Sequence, residues 1–95
     1  MLVNRRTFVV KRGYMKETVA LQVAERERTG IACRIYISSI GPFDVIALEL
    51  EVENLEEYER VWAEYFASPE AAQFLEKWYE VTETGGTNEI WELVE

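Results

Sequence analysis

There is no histidine anywhere in the 95 residues. Ser–His and Cys–His nucleophilic pairs, histidine-ligated zinc and histidine-ligated haem are therefore excluded. There is one cysteine, Cys33, so no disulfide can close within the chain, which suits a reducing compartment. Cys33 falls in an apolar strand pattern, where a buried and inert thiol is expected. Positive charge is scarce: ten lysines and arginines against eighteen acids leave a net charge of −8. That sign repels phosphate backbones and anionic bilayers, so neither nucleic acid nor membrane is expected as a partner. No apolar run approaches the roughly 20 residues of a membrane span. The opening MLVNRR has no apolar core of a signal peptide, and a cytoplasmic location is the expectation. The acids are spread along helix faces instead of clustering at ligand spacing, so no metal is expected, nor any other cofactor.

What is present is apolar and aromatic. Hydrophobic residues make up 48% of the chain and aromatics 13%, including Trp62, Trp78 and Trp91, ample for a core and against disorder. The length fits a single domain over residues 1–95. So short a chain buries only about two thirds of its unfolded surface, and extra apolar surface in small chains is often buried by oligomerisation.

Leu2 to Lys11 (LVNRRTFVVK) reads as a strand, broken at Arg12-Gly13. From Tyr14 to Arg28, Met15, Val19 and Val23 recur at spacing four, with Ala20, Ala24 and Glu27 one step round. This is the stripe of a helix, ended by Gly30. Ile31 to Ile40 reads as a second strand, with Ile31, Cys33, Ile35 and Ile37 on one face and Ala32, Arg34, Tyr36 and Ser38 on the other. Gly41-Pro42 marks a tight turn into a third strand, Phe43 to Glu53, which alternates Ile46, Leu48, Leu50, Val52 with Val45, Ala47, Glu49, Glu51. Asn54 is placed as an N-cap with Glu57 at the capping-box position. Leu55, Tyr58, Trp62, Tyr65 and Phe66 then form a broad stripe facing a core. Ser68-Pro69 starts another helix, whose stripe is Ala71, Phe74, Leu75, Trp78 and Tyr79. It fades by Thr84 and is expected to end at Gly85-Gly86, leaving Thr87 to Glu95 as a closing strand. The order β-α-β-β-α-α-β predicts an α+β, ferredoxin-like fold: a four-stranded antiparallel sheet with helices on one face.

The helices would cover Ile46, Leu48, Leu50 and Val52. The opposite face would carry Arg34, Tyr36, Ser38, Val45, Ala47, Glu49 and Glu51, too apolar to be fully wet and too polar for ordinary core. Such a face usually meets something, and a second copy packing sheet to sheet would supply it.

At this point RRTFVVKRGYM and YISSIGPFDVIALELEVENLEEYERVW resemble the NIPSNAP-like branch of the dimeric α/β-barrel superfamily. The resemblance spans nearly the whole chain; its motifs specify fold better than activity, and Arg12 stands where the family pattern has proline. It implies a homodimer whose two sheets face each other across a barrel-like core. Related families include cofactor-independent antibiotic-biosynthesis-type monooxygenases, isomerases and lyases, and haem-handling proteins, the last needing a histidine this chain lacks.

Six residues stand out as ligand-binding candidates. Arg34 and Glu49 are expected on neighbouring strands of the uncovered face, as a site for an anionic or phenolic molecule or as an ion-pair network fixing a dimer register. One of Arg5 and Arg6 must join them, and the resemblance favours Arg6. Tyr36 with Ser38 would orient a substrate oxygen, or Tyr36 would anchor an interface. Trp62 would line a pocket between helices and sheet, or simply pack in the core, and Trp78 likewise. Glu49 would act as a general base if buried; no catalytic set is assigned. Two readings follow. One is a homodimer binding a small apolar or aromatic molecule in a cavity beside the sheet, which includes a monooxygenase-like enzyme working without a cofactor. The other is a non-catalytic interaction module in which these residues pair with each other and enclose no cavity.

Overall fold

The computed structural model describes residues 1–94. The elements are β1 (Leu2–Val10), α1 (Met15–Thr29), β2 (Arg34–Ile37), β3 (Val45–Val52), α2 (Leu55–Ala67), α3 (Pro69–Val81) and β4 (Thr82–Glu92). They form one antiparallel sheet in the order β2-β3-β1-β4. This is the anticipated ferredoxin-like arrangement.

Register decides which residues meet. β1 pairs Asn4 with Leu50, Arg6 with Leu48 and Phe8 with Ile46, while β2 sets Ile35 beside Leu48 and Ile37 beside Ile46. Because a strand alternates its side chains, these residues share one face, and the helices cover it. The core is Val10, Ile46 and Trp78, with Phe8, Leu48 and Ile35 from the sheet, Met15 and Val19 from α1, and Phe74 from α3 packed against it. Phe8 meets Trp78 edge-on at 5.1 Å and Phe74 stacks on Trp78 at 5.3 Å. The other face carries Arg5, Thr7, Ala47, Glu49, Arg34 and Tyr36.

Several boundaries differ from the sequence reading. The second strand is only Arg34–Ile37, and residues 38–44 form a loop rather than a tight Gly41-Pro42 turn. The loop is held at its base by the Ser38 N–H donating to the Val45 carbonyl, 2.9 Å. At its far end, Asp44 takes a positive φ of 60°, its carbonyl accepts from the Val10 N–H, and its carboxylate receives Arg12 at 2.9 Å. These tertiary bonds to β1 outweigh the strand propensity of Ile40 and Phe43, which are left exposed.

The third helix stops at Val81, and Gly85-Gly86 lies inside β4 instead of ending that helix. Thr7 pairs with Thr87 but Val9 pairs with Glu83, so β4 carries extra residues at this point. A Cβ on Gly86 would collide with the Thr7 carbonyl oxygen. The glycine is there because two backbones approach closely at a bulge. Glu95, the end of the expected last strand, lies outside the described residues.

The first helix is turned from its expected orientation. Met15 and Val19 do pack on the core, but its fully buried residues are Thr18, Gln22 and Glu25, while Ala20, Ala24 and Glu27 are exposed. Each of Thr18 and Glu25 has partners that make burial tolerable: the Thr18 hydroxyl donates to the Tyr14 carbonyl at 2.7 Å, and Glu25 accepts from Arg28 and Tyr65. Gly30 closes the helix in the left-handed conformation, its N–H donating to the Arg26 carbonyl, as its position predicts.

Candidate functional site

The second helix shows where a site lies. Asn54 Oδ1 accepts from the Glu57 N–H at 2.9 Å, and Pro69 follows the cap Ser68 of α3, so both helices start where their residues dictate. Yet α2 has no fully buried residue, despite its aromatic stripe. Leu55 and Phe66 are exposed, and Tyr58, Trp62 and Tyr65 are only partly buried. The reason is beneath it. A cavity of about 240 Å³, partly open to solvent, lies between the helices and the sheet beside the core.

The cavity floor is Asn4, Arg6, Phe8, Leu48 and Leu50; α1 contributes Gln22, Glu25 and Arg26; Trp62, Tyr65 and Phe66 of α2 and Phe74, Leu75, Trp78 and Tyr79 of α3 complete the wall, with Thr29, Ile31 and Cys33 at the edge. Aromatic rings dominate it. Trp62 stacks with Phe66 at 5.8 Å and meets Tyr65 edge-on at the same distance.

Three polar groupings interrupt the apolar wall. The Arg6 guanidinium lies 3.9 Å from the centre of the Trp62 ring, its Nε donating to Asn4 Oδ1 at 3.2 Å and its Nη2 to the Tyr58 hydroxyl at 3.3 Å. Asn4, fully buried, in turn donates to Asn88 Oδ1 and to the Glu89 carbonyl at 2.8 and 2.9 Å. Burial by itself would raise the Tyr58 hydroxyl, but hydrogen bonds with Asn88 and Arg6 and the arginine's charge outweigh it and lower the pKa. In the second grouping, Arg28 grips Glu25 with two bonds of 2.7 and 2.9 Å, and the Tyr65 hydroxyl donates to the same carboxylate at 2.5 Å. The Arg28 bonds hold Glu25 below the ordinary carboxylate value against the opposing effect of burial. Burial first, and the bond to an anion second, push the Tyr65 hydroxyl well above a free phenol. The third is the Trp62 indole nitrogen, buried without a hydrogen-bond partner.

Cys33 sits at the cavity edge, half-buried. Burial raises its thiol pKa, in keeping with the inert thiol expected.

The six candidate residues fall on two sides of the sheet. Arg6 and Trp62 are together in the cavity. Arg34, Tyr36, Ser38 and Glu49 are not: Arg34, Tyr36 and Glu49 belong to the uncovered face, with Ser38 exposed just past β2. Arg6 does not join Glu49 there. Strand phase points Arg6 under the helices, and Arg5 takes the open-face position, bonding Glu49 at 2.6 and 2.7 Å. Arg34 pairs with Glu51 at 3.1 Å, not with Glu49. Tyr36 is exposed. Glu49, already engaged by Arg5, is not placed as a free base. Arg5 and Arg6 thus face opposite ways, and Arg12 binds Asp44.

Sequence reasoning missed Asn4, Gln22, Glu25 and Tyr65 as cavity residues. A signal was present. Asn4 and Arg6 interrupt the alternation of Leu2, Phe8 and Val10 with polar side chains, and Thr18, Gln22 and Glu25 repeat at helical spacing as a polar stripe between apolar ones.

Among the described residues no group of histidine, cysteine, aspartate or glutamate side chains has the arrangement of a metal site, and no helix is long and apolar enough to cross a membrane. No protein-family model matches the chain, and no curated protein matches it. Solved structures do match. A NIPSNAP family protein from Agrobacterium tumefaciens superposes with a TM-score of 0.84 at 15% identity, over 99% of this chain and 86% of that one. A NIPSNAP domain protein from Burkholderia xenovorans gives 0.84 at 14% identity, over 99% and 95%. An antibiotic biosynthesis monooxygenase gives 0.74 at 13% identity, over the whole of both chains. At such identities the likeness is one of fold, and this chain has the ferredoxin-like α+β fold those structures share.

Proposed function

We propose that the protein is a homodimer that binds a small apolar or aromatic molecule in the cavity between its helices and its sheet. The observation that carries this is α2, an aromatic-striped helix that roofs a void instead of burying its stripe. Filling such a void with an apolar body restores the missing contacts, and pockets of this make-up, mostly apolar with a few convergent polar groups, are where small molecules bind. An apolar cavity of about 150 Å³ accepts benzene, so 240 Å³ suits a molecule of one or two rings. Dimerisation is supported by the open face, where Tyr36 and Trp91 are exposed over a mixed polar and apolar surface.

Titration of the purified protein with 2-naphthol, followed by calorimetry and by the indole N–H signals in NMR, tests the cavity. Saturable binding at one site per chain that shifts the Trp62 and Trp78 signals is expected, and Leu48→Phe, which projects into the void, should weaken it at least tenfold. Absence of saturable binding would remove the reading.

A second reading is favoured by the ion pairs Arg5–Glu49 and Arg34–Glu51: the open face is a purely structural interface, the protein a non-catalytic module. The two readings differ on the cavity alone.

A further inference from the structure

We propose that the molecule held in this cavity carries a carboxylate, received by the Arg6 guanidinium and the Trp62 indole N–H while its ring lies among Phe8, Leu48, Phe74 and Trp78. The inference rests on the cavity reading and adds the charge and head group of the ligand.

Arg6 and Arg26 are the two arginines that line the cavity, and neither has an ion pair among the described residues; Arg26 donates to the Cys33 carbonyl at the cavity edge, while Arg6 lies against the Trp62 ring. Arg5, Arg12, Arg28 and Arg34 each have a carboxylate oxygen within 3.1 Å. Arg6, in a chain of net charge −8, forms no ion pair among the described residues. Its bonds go to neutral acceptors, an amide and a phenol, and its flat face rests on Trp62. A guanidinium cannot shed its proton, and a partly buried cation wants an anion. Two of its five N–H groups are committed to those acceptors, so donors remain for an incoming one.

Trp62 supplies the second observation. Its Nε1 is buried without a partner, a condition native proteins rarely tolerate. The ring that bears this nitrogen is a cavity-lining ring and the one Arg6 stacks on, so a charged fork of donors lies over the face of a ring with an unsatisfied donor. A carboxylate, planar with two accepting oxygens, matches that set; a hydrocarbon leaves it unmet.

The one acid lining the cavity does not compete. Glu25 is taken by two bonds from Arg28 and one from Tyr65, so it neither reaches Arg6 nor presents an unneutralised charge to an anionic guest.

The test compares 2-naphthoate with its uncharged counterparts, 2-naphthylmethanol and methyl 2-naphthoate, by calorimetry at neutral pH. The wild-type protein should bind the acid about tenfold tighter or more than either neutral probe, the scale of charge-assisted hydrogen bonds. Arg6→Gln should abolish that preference, so that acid and neutral probes bind this variant with equal affinity. Trp62→Phe keeps a ring for stacking but loses the donor, and should reduce the preference several-fold. Equal affinity for acid and neutral probes, or a preference unchanged in Arg6→Gln, overturns the carboxylate and leaves the cavity reading standing. Failure of all three probes to bind overturns the cavity reading itself. The wild-type comparison alone decides the head group should Arg6→Gln not fold, since it varies only the ligand.

Discussion

Gly86 and Cys33 show how much a single position owes to its neighbours. Gly86 sits at φ 105° with the Thr7 backbone where a Cβ would go, so both conformation and space forbid a side chain. Gly86→Ala should cost roughly 2 kcal/mol or more, read as a lower midpoint in chemical denaturation with the slope unchanged. Cys33 is the opposite kind of site, one where substitution is easy and reactivity is informative. Because burial raises its pKa, less thiolate is present at neutral pH than in a free thiol. Its reaction with a disulfide reagent should be slower than that of glutathione at pH 7, and should keep accelerating at pH values where glutathione has levelled off. A Cys33 rate that matches or exceeds glutathione at neutral pH would contradict the burial.

Among the elements, α1 is held to α2 by a charged contact. Glu25 of α1 is anchored by Arg28 on its own helix and reached by Tyr65 from α2. The native pKa of Glu25 lies below its reference value of 4.5. The stability that this interaction contributes is therefore complete above about pH 4.5 and drains away as the pH falls through the lower native value. Glu25→Gln should melt below the wild type at neutral pH, and the two melting curves should converge as the solution is acidified below pH 4.5. Curves that remain parallel throughout would mean that the carboxylate charge contributes nothing. The Tyr65 hydroxyl ties α2 to α1 beside the cavity, while Trp62 and Tyr58 tie it to Arg6 of the sheet.

For the molecule as a whole, the open face decides the assembly. Trp91 is paired in register with Val3 and lies on the uncovered side with Tyr36, both exposed. If two sheets meet there, burying an unpaired carboxylate at that place is costly. Light scattering after size exclusion should give a dimer for the wild type and a monomer for Trp91→Glu, with helix content retained. A wild-type monomer at high concentration would end the sheet-to-sheet assembly. The cavity prediction belongs to this scale too, since a ligand that binds only the folded chain raises its melting temperature in proportion to the logarithm of its concentration.

Periodicity, caps and alternation were enough to read the order of the seven elements, the helix starts at Asn54 and Ser68, the stop at Gly30 and the division of β3 into an apolar and a mixed face. Each of these depends on a residue and its near neighbours, and the physics is local. The fold followed from that order of elements. Three things did not follow. Gly85-Gly86 looks like a helix stop until β1 is laid beside it, because the demand for glycine comes from Thr7, far away in the chain. Arg5 and Arg6 are adjacent, and which of them faces the helices is a matter of strand phase that only pairing with β3 settles. Above all, a stripe of aromatics reads the same whether it packs on a core or roofs a cavity. Trp62 was marked by its spacing, but the cavity beneath it, the stacked Arg6, and Gln22 and Glu25 lining it from α1 exist only once α1, α2 and the sheet are brought together. Hydrophobic pattern specifies which face turns inward; how closely the inward faces meet is decided by side chains from separate elements, and that distance is where the site lies.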